Sequence, residues 1–183
     1  MADRSEFDAD ALPHLDAVYR VAYALCRNRQ DADDLVQTTF LKALDRFDSF
    51  RAGSNCKAWL MRILRNIWID RLRHRKVAGP TASLEEDLLP DTAAGEPLAW
   101  SDPHDLLENF SDEQVIAALR HLPDDQRLTL FLMDVEQLTQ EEVAEITGVA
   151  VGTVKSRTSR AREALRGRLY EHARDLGLAG QRR

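Results

Sequence analysis

Apolar residues recur at intervals of three and four along most of the chain, which is the spacing of an amphipathic α-helix. The first such stretch predicts a helix over about residues 11–28, and a second helix follows a cap at Asp31. After a turn, Ser54 or Asn55 can cap a third helix over about residues 56–76. The apolar positions that carry this pattern are Leu12, Leu15, Val18, Tyr19, Ala22 and Leu25 in the first helix, Leu35, Val36, Thr39, Phe40, Ala43, Leu44 and Phe47 in the second, and Leu60, Ile63, Leu64, Ile67 and Leu72, predicted to face inward, in the third.

The helical pattern stops in the segment VAGPTASLEEDLLPDTAAGEPLAWSDPH, residues 77–104. This segment contains four of the six prolines and six acidic residues, and it contains no Lys or Arg. Such a composition is typical of an extended linker. The chain is therefore predicted to be all-α, with two small helical domains, residues 1–76 and 105–183, joined by an extended acidic linker.

In the second domain, Pro123 is predicted to lie in the first turn of a helix. The segment that follows, LTQEEVAEITGVAVGTVKSRTSRARE, is the most informative in the chain. Thr139 and Glu142 have the spacing of a capping box, which starts a short helix. Gly148 supplies the left-handed turn that ends it, and a second helix begins near Val151. This order of elements predicts a helix-turn-helix.

The second helix of this unit is basic on one side. Its apolar stripe faces inward, and Thr153, Ser156, Arg157 and Arg160 project from the other side within three turns. Arginine can donate two hydrogen bonds to guanine, and Ser or Thr can bond to bases or phosphates. This face is therefore predicted to enter a DNA major groove. The flanking cations, better placed for phosphates, are Lys155, Arg162, Arg166 and Arg168.

The distribution of charge supports a polyanionic ligand. The 183 residues have a formal net charge of -6 and a pI near 5.4. Residues 57–76 nevertheless carry a balance of +6 and residues 155–168 a balance of +5, which leaves -17 on the remainder. Two cationic windows on an otherwise acidic body indicate two local sites for a polyanion.

The loop FDSFRAGSNCKAW, which precedes the basic third helix, adds aromatic and amide groups to its cations. Such groups suit an unstacked base held outside a duplex. Plain core packing is the alternative for each aromatic ring. The residues concerned are Phe50, Arg51, Ser54, Asn55, Lys57 and Trp59.

The sequence also argues against several classes of protein. It contains no catalytic Ser/His/Asp or Cys/His arrangement, phosphate-binding loop, cofactor motif or metal-ligand spacing, so neither an enzyme nor a bound cofactor is expected. It has no signal peptide and no apolar run long enough for a membrane span. The two cysteines lack a CxxC pair, which indicates a reducing cytoplasm. Cys26 is expected in the core, and Cys56, beside the loop, is expected to be exposed.

Three segments together resemble a bacterial sigma-70 family factor of the extracytoplasmic-function type. DADDLVQTTFLKALDRFDSFRAGSNCKAWLMRILRNIWIDRLRHRK is similar to the family's sigma-2 domain, and LPDDQRLTLFLMDVEQLTQEEVAEITGVAVGTVKSRTSRARE is similar to its sigma-4 domain. The acidic segment stands where the family has its interdomain linker. Within the family, FRAGSNCKAWLMRIL and DLLENFSDEQVIAAL most resemble the thiol-stress members.

The resemblance implies two DNA-binding surfaces. The minus-ten surface comprises the loop and the helix after it, where a flipped non-template base would be captured: Phe50, Arg51, Ser54, Asn55, Lys57, Trp59, Arg62, Arg65 and Asn66. The minus-thirty-five surface comprises Thr153, Lys155, Ser156, Arg157, Ser159 and Arg160. Ser159 departs from members that carry an aromatic residue there.

The resemblance also implies protein partners. Core RNA polymerase would be contacted at its β′ coiled coil and β flap, with the β′ contact made by Asp34, Leu35, Gln37, Phe40, Leu41 and Leu44. An anti-sigma factor would hold the protein inactive until a stress signal, and the thiol-stress similarity implies one that contains zinc and senses oxidation. The expected function is promoter-specific transcription initiation in the cytoplasm, at the nucleoid.

Three other functions are weighed against this one. A sigma-like decoy that sequesters an anti-sigma factor would not need groove-facing cations, yet Lys155, Arg157 and Arg160 are present. A one-component regulator would need a ligand-binding domain, and the N-terminal half shows no pocket signature. An enzyme would need a catalytic constellation. Transcription with added core polymerase distinguishes these alternatives.

Overall fold

The computed structural model describes residues 4–51, 53–77 and 118–175. For residues 76–77 and 169–175 it describes the backbone only. Every regular element in these ranges is a helix or a helical turn, which confirms the all-α prediction. The helices are α1 (Arg4–Ala11), α2 (Leu15–Cys26), α3 (Arg29–Asp45), α4 (Cys56–Val77), α5 (Asp124–Leu130), α6 (Gln140–Thr147) and α7 (Val151–Asp175), with 3₁₀ turns at Leu12–His14 and Phe47–Ser49 and a π-helical turn at Phe131–Val135.

The first predicted helix is divided in the structure. Pro13 lies within the 3₁₀ turn that separates α1 from α2, because proline lacks the N–H that a continuous helix needs at that point. The helix α1 was not predicted. The cap of α3 is Asn28 rather than Asp31: Asn28 Oδ1 accepts a hydrogen bond from the backbone N–H of Asp31 at 2.8 Å.

The core of the first domain lies between α2, α3 and α4. Val18, Leu35, Leu60 and Leu64 have no exposed surface, as the periodicity predicts, whereas Leu12 and Leu15 of the same pattern are exposed. The helix α4 is also buried at Trp68, which the predicted stripe omits, because α4 contacts both α3 and α6. The predicted cap is confirmed, since Asn55 Oδ1 accepts a hydrogen bond from the N–H of Ala58 at 3.1 Å. This packing buries one side of α4 and leaves its cations outside the core, with Arg62, Arg73 and Arg75 exposed.

The second domain is built on α5, the π-helical turn, α6 and α7. Pro123 is the N-cap of α5, one position before the predicted first turn, and its extended ψ of 144° redirects the chain into the helix. Leu132, Val143, Val154 and Ala161 have little or no exposed surface and form the core. Burial of each large aliphatic side chain contributes about 1.5–3 kcal/mol to folding.

The two helical units contact each other directly. The helix α2 lies against α5, and α4 lies against α6. The predicted linker, residues 77–104, lies outside the described residues apart from the backbone of Val77. The division into residues 1–76, 77–104 and 105–183 therefore stays a prediction.

Candidate nucleic-acid interface

The helix-turn-helix is formed by α6, a short turn and α7. Thr139 and Glu142 make the predicted capping box: Thr139 N–H donates to Glu142 Oε2 at 2.8 Å, and Glu142 N–H donates to Thr139 Oγ1 at 3.2 Å. Gly148 follows in the left-handed conformation, with φ of 66°, and its N–H bonds to the carbonyl of Ala144. Val143 of α6 and Val154 of α7 are fully buried in the core of this unit. This packing sets the direction in which α7 projects.

The outer face of α7 carries most of the predicted minus-thirty-five residues. Lys155, Ser159 and Arg160 are exposed, whereas Thr153 and Ser156 are half-buried. The hydroxyl of Ser156 donates to the carbonyl of Thr153 at 3.0 Å. The exposed side chains have the chemistry for phosphates and base edges along one side of a helix.

Arg157 has a different environment from the other predicted minus-thirty-five residues. Its side chain is 24% exposed, and its Nε lies 3.0 Å from Oδ2 of Asp125 at the start of α5. The ion pair ties α7 to α5 within the second domain. Arg157 can contact DNA from this position only by exchanging the carboxylate of Asp125 for a phosphate or base.

An open groove of about 490 Å³ runs between α7 and the π-helical turn. The exposed cations Lys155, Arg162 and Arg166 line this groove. The guanidinium of Arg162 donates hydrogen bonds to both carboxylate oxygens of Asp134. The groove is continuous with the outer face of α7 through Ser159. Cations along such a groove suit the phosphates that flank a major-groove contact.

The aromatic residues of the first domain form one cluster. The rings of Phe47 and Phe50 stack with centroids 5.6 Å apart, and Trp59 lies 5.0 Å from Phe50. Phe7 meets Phe47 edge-to-face at 5.3 Å. Phe47 is buried, while Phe50 and Trp59 are half-buried. Packing thus holds these two rings in place, and each keeps part of its surface open to a base.

Four residues of the minus-ten surface face the second domain. Asn55 Nδ2 donates to Glu142 at 2.6 Å, and Lys57 Nζ donates to the carbonyl of Glu136 at 2.7 Å. Arg62 Nη1 lies 3.6 Å from Glu145, and Arg65 Nη2 donates to the carbonyl of Thr147 at 2.9 Å. The exposed members of this surface are Arg51, Ser54, Asn55, Arg62 and Asn66. The minus-ten surface and the helix-turn-helix are therefore in contact.

Glu136 lies at the centre of this contact and was missed from the sequence. Its side chain is 2% exposed and is bound by Arg20, whose Nε and Nη2 donate at 3.0 and 3.3 Å. Lys57 Nζ lies 3.8 Å from the same carboxylate. The π-helical turn ends just before Glu136, and Gln137 adopts a positive φ of 54°. Local sequence gives no sign of these partners, because Arg20 is 116 residues away.

The predicted polymerase-docking residues lie on α3 at different depths. Asp34 and Gln37 are exposed, and Leu41 is 57% exposed, more than the other exposed leucines of the described residues, Leu12 and Leu15. Phe40 and Leu44 are half-buried. Leu35 has no exposed surface, so it supports this face from the core and presents no side chain to a partner.

The two thiols are shielded. Cys56 is buried, so its expected exposure is wrong: the start of α4 is covered by neighbouring residues even though the loop before it is open. Cys26 is half-buried. Burial raises the pKa of each thiol to about 11, which keeps both protonated at neutral pH.

Within the described residues, no group of His, Cys, Asp and Glu side chains is arranged to hold a metal ion. The helices of the same ranges include none with the length and apolarity needed to cross a bilayer.

Known proteins resemble the chain in both halves. The sequence model of sigma-70 region 2 matches residues 12–77, and that of sigma-70 region 4 matches residues 112–165. The ECF RNA polymerase sigma factor EcfG of Rhodopseudomonas palustris is 39% identical, over 92% of this chain and 88% of that protein. The ECF RNA polymerase sigma factor SigM of Mycobacterium tuberculosis is 37% identical, over 89% of this chain and 76% of its own length.

Solved structures give the same result. The sigma factor RpoE of Bartonella quintana, in complex with the anti-sigma factor NepR, matches with a TM-score of 0.71 and 35% identity, over 90% of this chain and 97% of that one. CnrH, in complex with the cytosolic domain of CnrY, matches with a TM-score of 0.64 and 25% identity, over 93% of this chain and 91% of that one. The chain therefore belongs to the extracytoplasmic-function (ECF) sigma factors of the sigma-70 family.

Proposed function

We propose that this sigma factor reads its promoter at two surfaces, the outer face of α7 at the minus-thirty-five element and the minus-ten surface at the melted strand. The main support is the helix-turn-helix geometry, which leaves Lys155, Ser159 and Arg160 exposed along one side of α7. The separate cationic helix α4 supplies the second site. Two such sites on an acidic body favour binding only where both engage one DNA, since the second contact is then effectively intramolecular.

Core RNA polymerase is proposed to dock on the exposed face of α3, with the β flap as its second contact. The support is the exposure of Leu41 beside the polar residues Asp34 and Gln37. Leu41 and the half-buried Leu44 lie one turn apart on α3, and neighbouring apolar side chains at a surface are typical of a protein-binding site.

An anti-sigma factor is proposed to hold the protein inactive until a stress signal arrives. Two solved relatives were captured in complexes, RpoE with the anti-sigma factor NepR and CnrH with the cytosolic domain of CnrY. A zinc-containing, redox-sensitive partner is the finer part of this proposal and rests on the sequence resemblance alone. Because its targets are promoters, the protein would act in the cytoplasm, at the nucleoid.

Run-off transcription with purified chain and core polymerase tests the proposal. Promoter templates would come from transcript starts mapped after overexpression. Replacing both Lys155 and Arg160 by Ala is expected to reduce promoter-specific transcription at least tenfold, since each lost base or phosphate contact costs about 1–3 kcal/mol. The matched control Arg29→Ala removes an exposed cation at the start of α3 and should leave transcription unchanged. A chain that bound core polymerase yet gave no promoter-specific transcript would contradict the proposal.

A separate assay tests the polymerase contact. Leu41→Ala is expected to weaken binding of the chain to core polymerase, because it removes the most exposed aliphatic side chain of α3. Leu12→Ala is the control, since Leu12 is also exposed, at 49%, but lies in the first 3₁₀ turn. Equal affinities for the two variants would exclude Leu41 from the interface.

A further inference from the structure

We propose that Phe7, on the short helix α1, is a positioning residue for base capture at the minus-ten surface. Its ring holds Phe47, and through Phe47 the two half-buried capture rings, Phe50 and Trp59, in the arrangement that receives an unstacked base. The inference rests on the proposed minus-ten assignment. It extends that assignment to a helix outside residues 12–77, the range that matches sigma-70 region 2.

The aromatic contacts of Phe7 lead without a gap to the capture rings. Phe7 meets Phe47 edge-to-face, with centroids 5.3 Å apart and ring planes at 88°. Phe47 in turn stacks on Phe50 at 5.6 Å and contacts Trp59 at 6.3 Å. Edge-to-face pairs are favoured because the positive edge of one ring meets the negative face of the other. A change in the orientation of Phe47 therefore disturbs its contacts with Phe7 and with both capture rings.

Phe7 is itself held from two sides. Its side chain is buried, and a second edge-to-face contact joins it to Phe40 of α3 at 6.5 Å. Phe7 and Ala11 are the buried residues of α1, one turn apart, and every other residue of this helix is exposed. Because an isolated helix of eight residues is not stable in water, these two contacts with the core keep α1 ordered. The helix α1 and the aromatic cluster therefore stabilise each other.

Base capture benefits from this support. The capture rings Phe50 and Trp59 are half-buried, with centroids 5.0 Å apart. A base gains most from stacking on a ring that is already held in one orientation, because ordering a mobile ring on binding costs conformational entropy. Phe47 is buried and contacts both capture rings, and Phe7 fixes Phe47 from α1.

Binding of the holoenzyme to single-stranded DNA tests this role. The probe is a labelled oligonucleotide with the non-template sequence of a mapped minus-ten element, and an abasic site is moved through it one position at a time. The position at which the parent holoenzyme loses most affinity marks the captured base. Core polymerase is kept saturating, so that every chain is in the holoenzyme and a change in docking near Phe40 does not enter the comparison.

Phe7→Leu removes both edge-to-face contacts and keeps an apolar side chain in the core. Its affinity for the intact strand is expected to fall about two- to tenfold, because fewer molecules hold the capture rings in place. Its affinity for the strand that lacks the captured base should equal that of the parent. A general loss of stability or of DNA contact would instead weaken binding to both strands alike.

Three further variants accompany Phe7→Leu. Phe7→Tyr keeps an aromatic ring against Phe47 and should restore the discrimination between the two strands. Ala11→Gly loosens α1 without changing any ring, and it should reproduce the effect of Phe7→Leu in weaker form, so that a folding defect in one variant cannot hide it. Leu25→Val is the control, since it alters a buried aliphatic side chain at the far end of α2, and it should bind both strands like the parent.

Tryptophan fluorescence of the free chain tests the support without DNA or polymerase. The chain has three tryptophans, so replacing Trp68 and Trp100 by Phe leaves Trp59 as the reporter. In this background Phe7→Leu should increase the quenching of Trp59 by acrylamide about twofold, because a ring that is held less often is more accessible. Leu25→Val should leave the quenching unchanged.

The outcomes separate this inference from the proposed function. Equal losses from both strands in Phe7→Leu, full affinity for the intact strand, or unchanged quenching of Trp59 would each overturn the inference and leave base capture standing. A parent holoenzyme whose affinity is the same for every abasic strand and for the intact one would refute the proposed capture of a base. The positioning role of Phe7 would then be refuted with it, whatever the fluorescence shows.

Discussion

Gly148→Ala tests the physical basis of the helix-turn-helix. Gly148 has φ of 66° and ψ of 33°, a left-handed conformation that costs an L-residue about 1–2 kcal/mol. A Cβ at this position would meet no atom within 4 Å, so steric overlap adds nothing to the cost. The whole effect should therefore be backbone strain at the turn that sets the direction of α7.

Gly152→Ala provides a matched control, for which the expected change in stability is the opposite. Gly152 lies in the first turn of α7, and a Cβ there would also meet no atom within 4 Å. Its φ is not positive, so alanine reduces the entropy of the unfolded chain without adding strain. The substitution is expected to stabilise the domain by up to about 1 kcal/mol.

Hydrogen exchange of the full chain, read by mass spectrometry on peptides from α6 and α7, measures both effects. Gly148→Ala should speed exchange in these helices about five- to thirtyfold, the factor that corresponds to 1–2 kcal/mol, and Gly152→Ala should slow it. Peptides from α2 serve as the internal reference. Unchanged exchange in Gly148→Ala, or faster exchange in both variants, would refute the assignment of the cost to the left-handed backbone.

Three further predictions concern ionisable groups. Alkylation of Cys26 and Cys56 by iodoacetamide at pH 7.5 should be about a hundredfold slower than for thiols with the ordinary pKa of 9, because burial raises both pKa values to about 11; rapid labelling of the folded chain would exclude this burial. The hydrogen bond from the Thr139 backbone lowers the pKa of Glu142 below its ordinary 4.5, so the ionised carboxylate stabilises the fold above that pH and the benefit is lost as pH falls. Thermal midpoints of Glu142→Gln and the parent chain should therefore differ at pH 7 and draw together as the pH falls below 4.5, and a constant gap would contradict the linkage. Asp125→Asn removes the ion-pair partner of Arg157. The slope of log K against log salt for holoenzyme binding to promoter duplex should then steepen by up to about 0.9, and an unchanged slope would show that Arg157 makes no phosphate contact.

Features that depend on neighbours in sequence were predictable. The capping box of Thr139 and Glu142, the turn at Gly148 and the inward stripe of α7 were all predicted correctly, because capping, backbone conformation and helical periodicity act over a few residues. Errors of this local kind were small: the cap of α3 lies at Asn28 instead of Asp31. The helix α1 was missed because its eight residues show little periodicity.

Burial and pairing depended on the tertiary structure. Leu35 belongs to the apolar stripe of α3, and only packing against its neighbours shows that it is inaccessible to a partner. Arg157 falls on the outer side of α7 by spacing, yet Asp125 from another helix holds it. Cys56 lies next to an exposed loop and is nevertheless buried.

Local spacing and local charge were enough to predict most of the helices, the helix-turn-helix, the two cationic surfaces and the family. Which of those charged side chains form ion pairs depends on the tertiary structure. Arg20 and Glu136 are 116 residues apart, and no periodicity links them. Their contact arises only when α2 and the end of the π-helical turn meet, since a buried carboxylate needs cations from wherever the fold brings them.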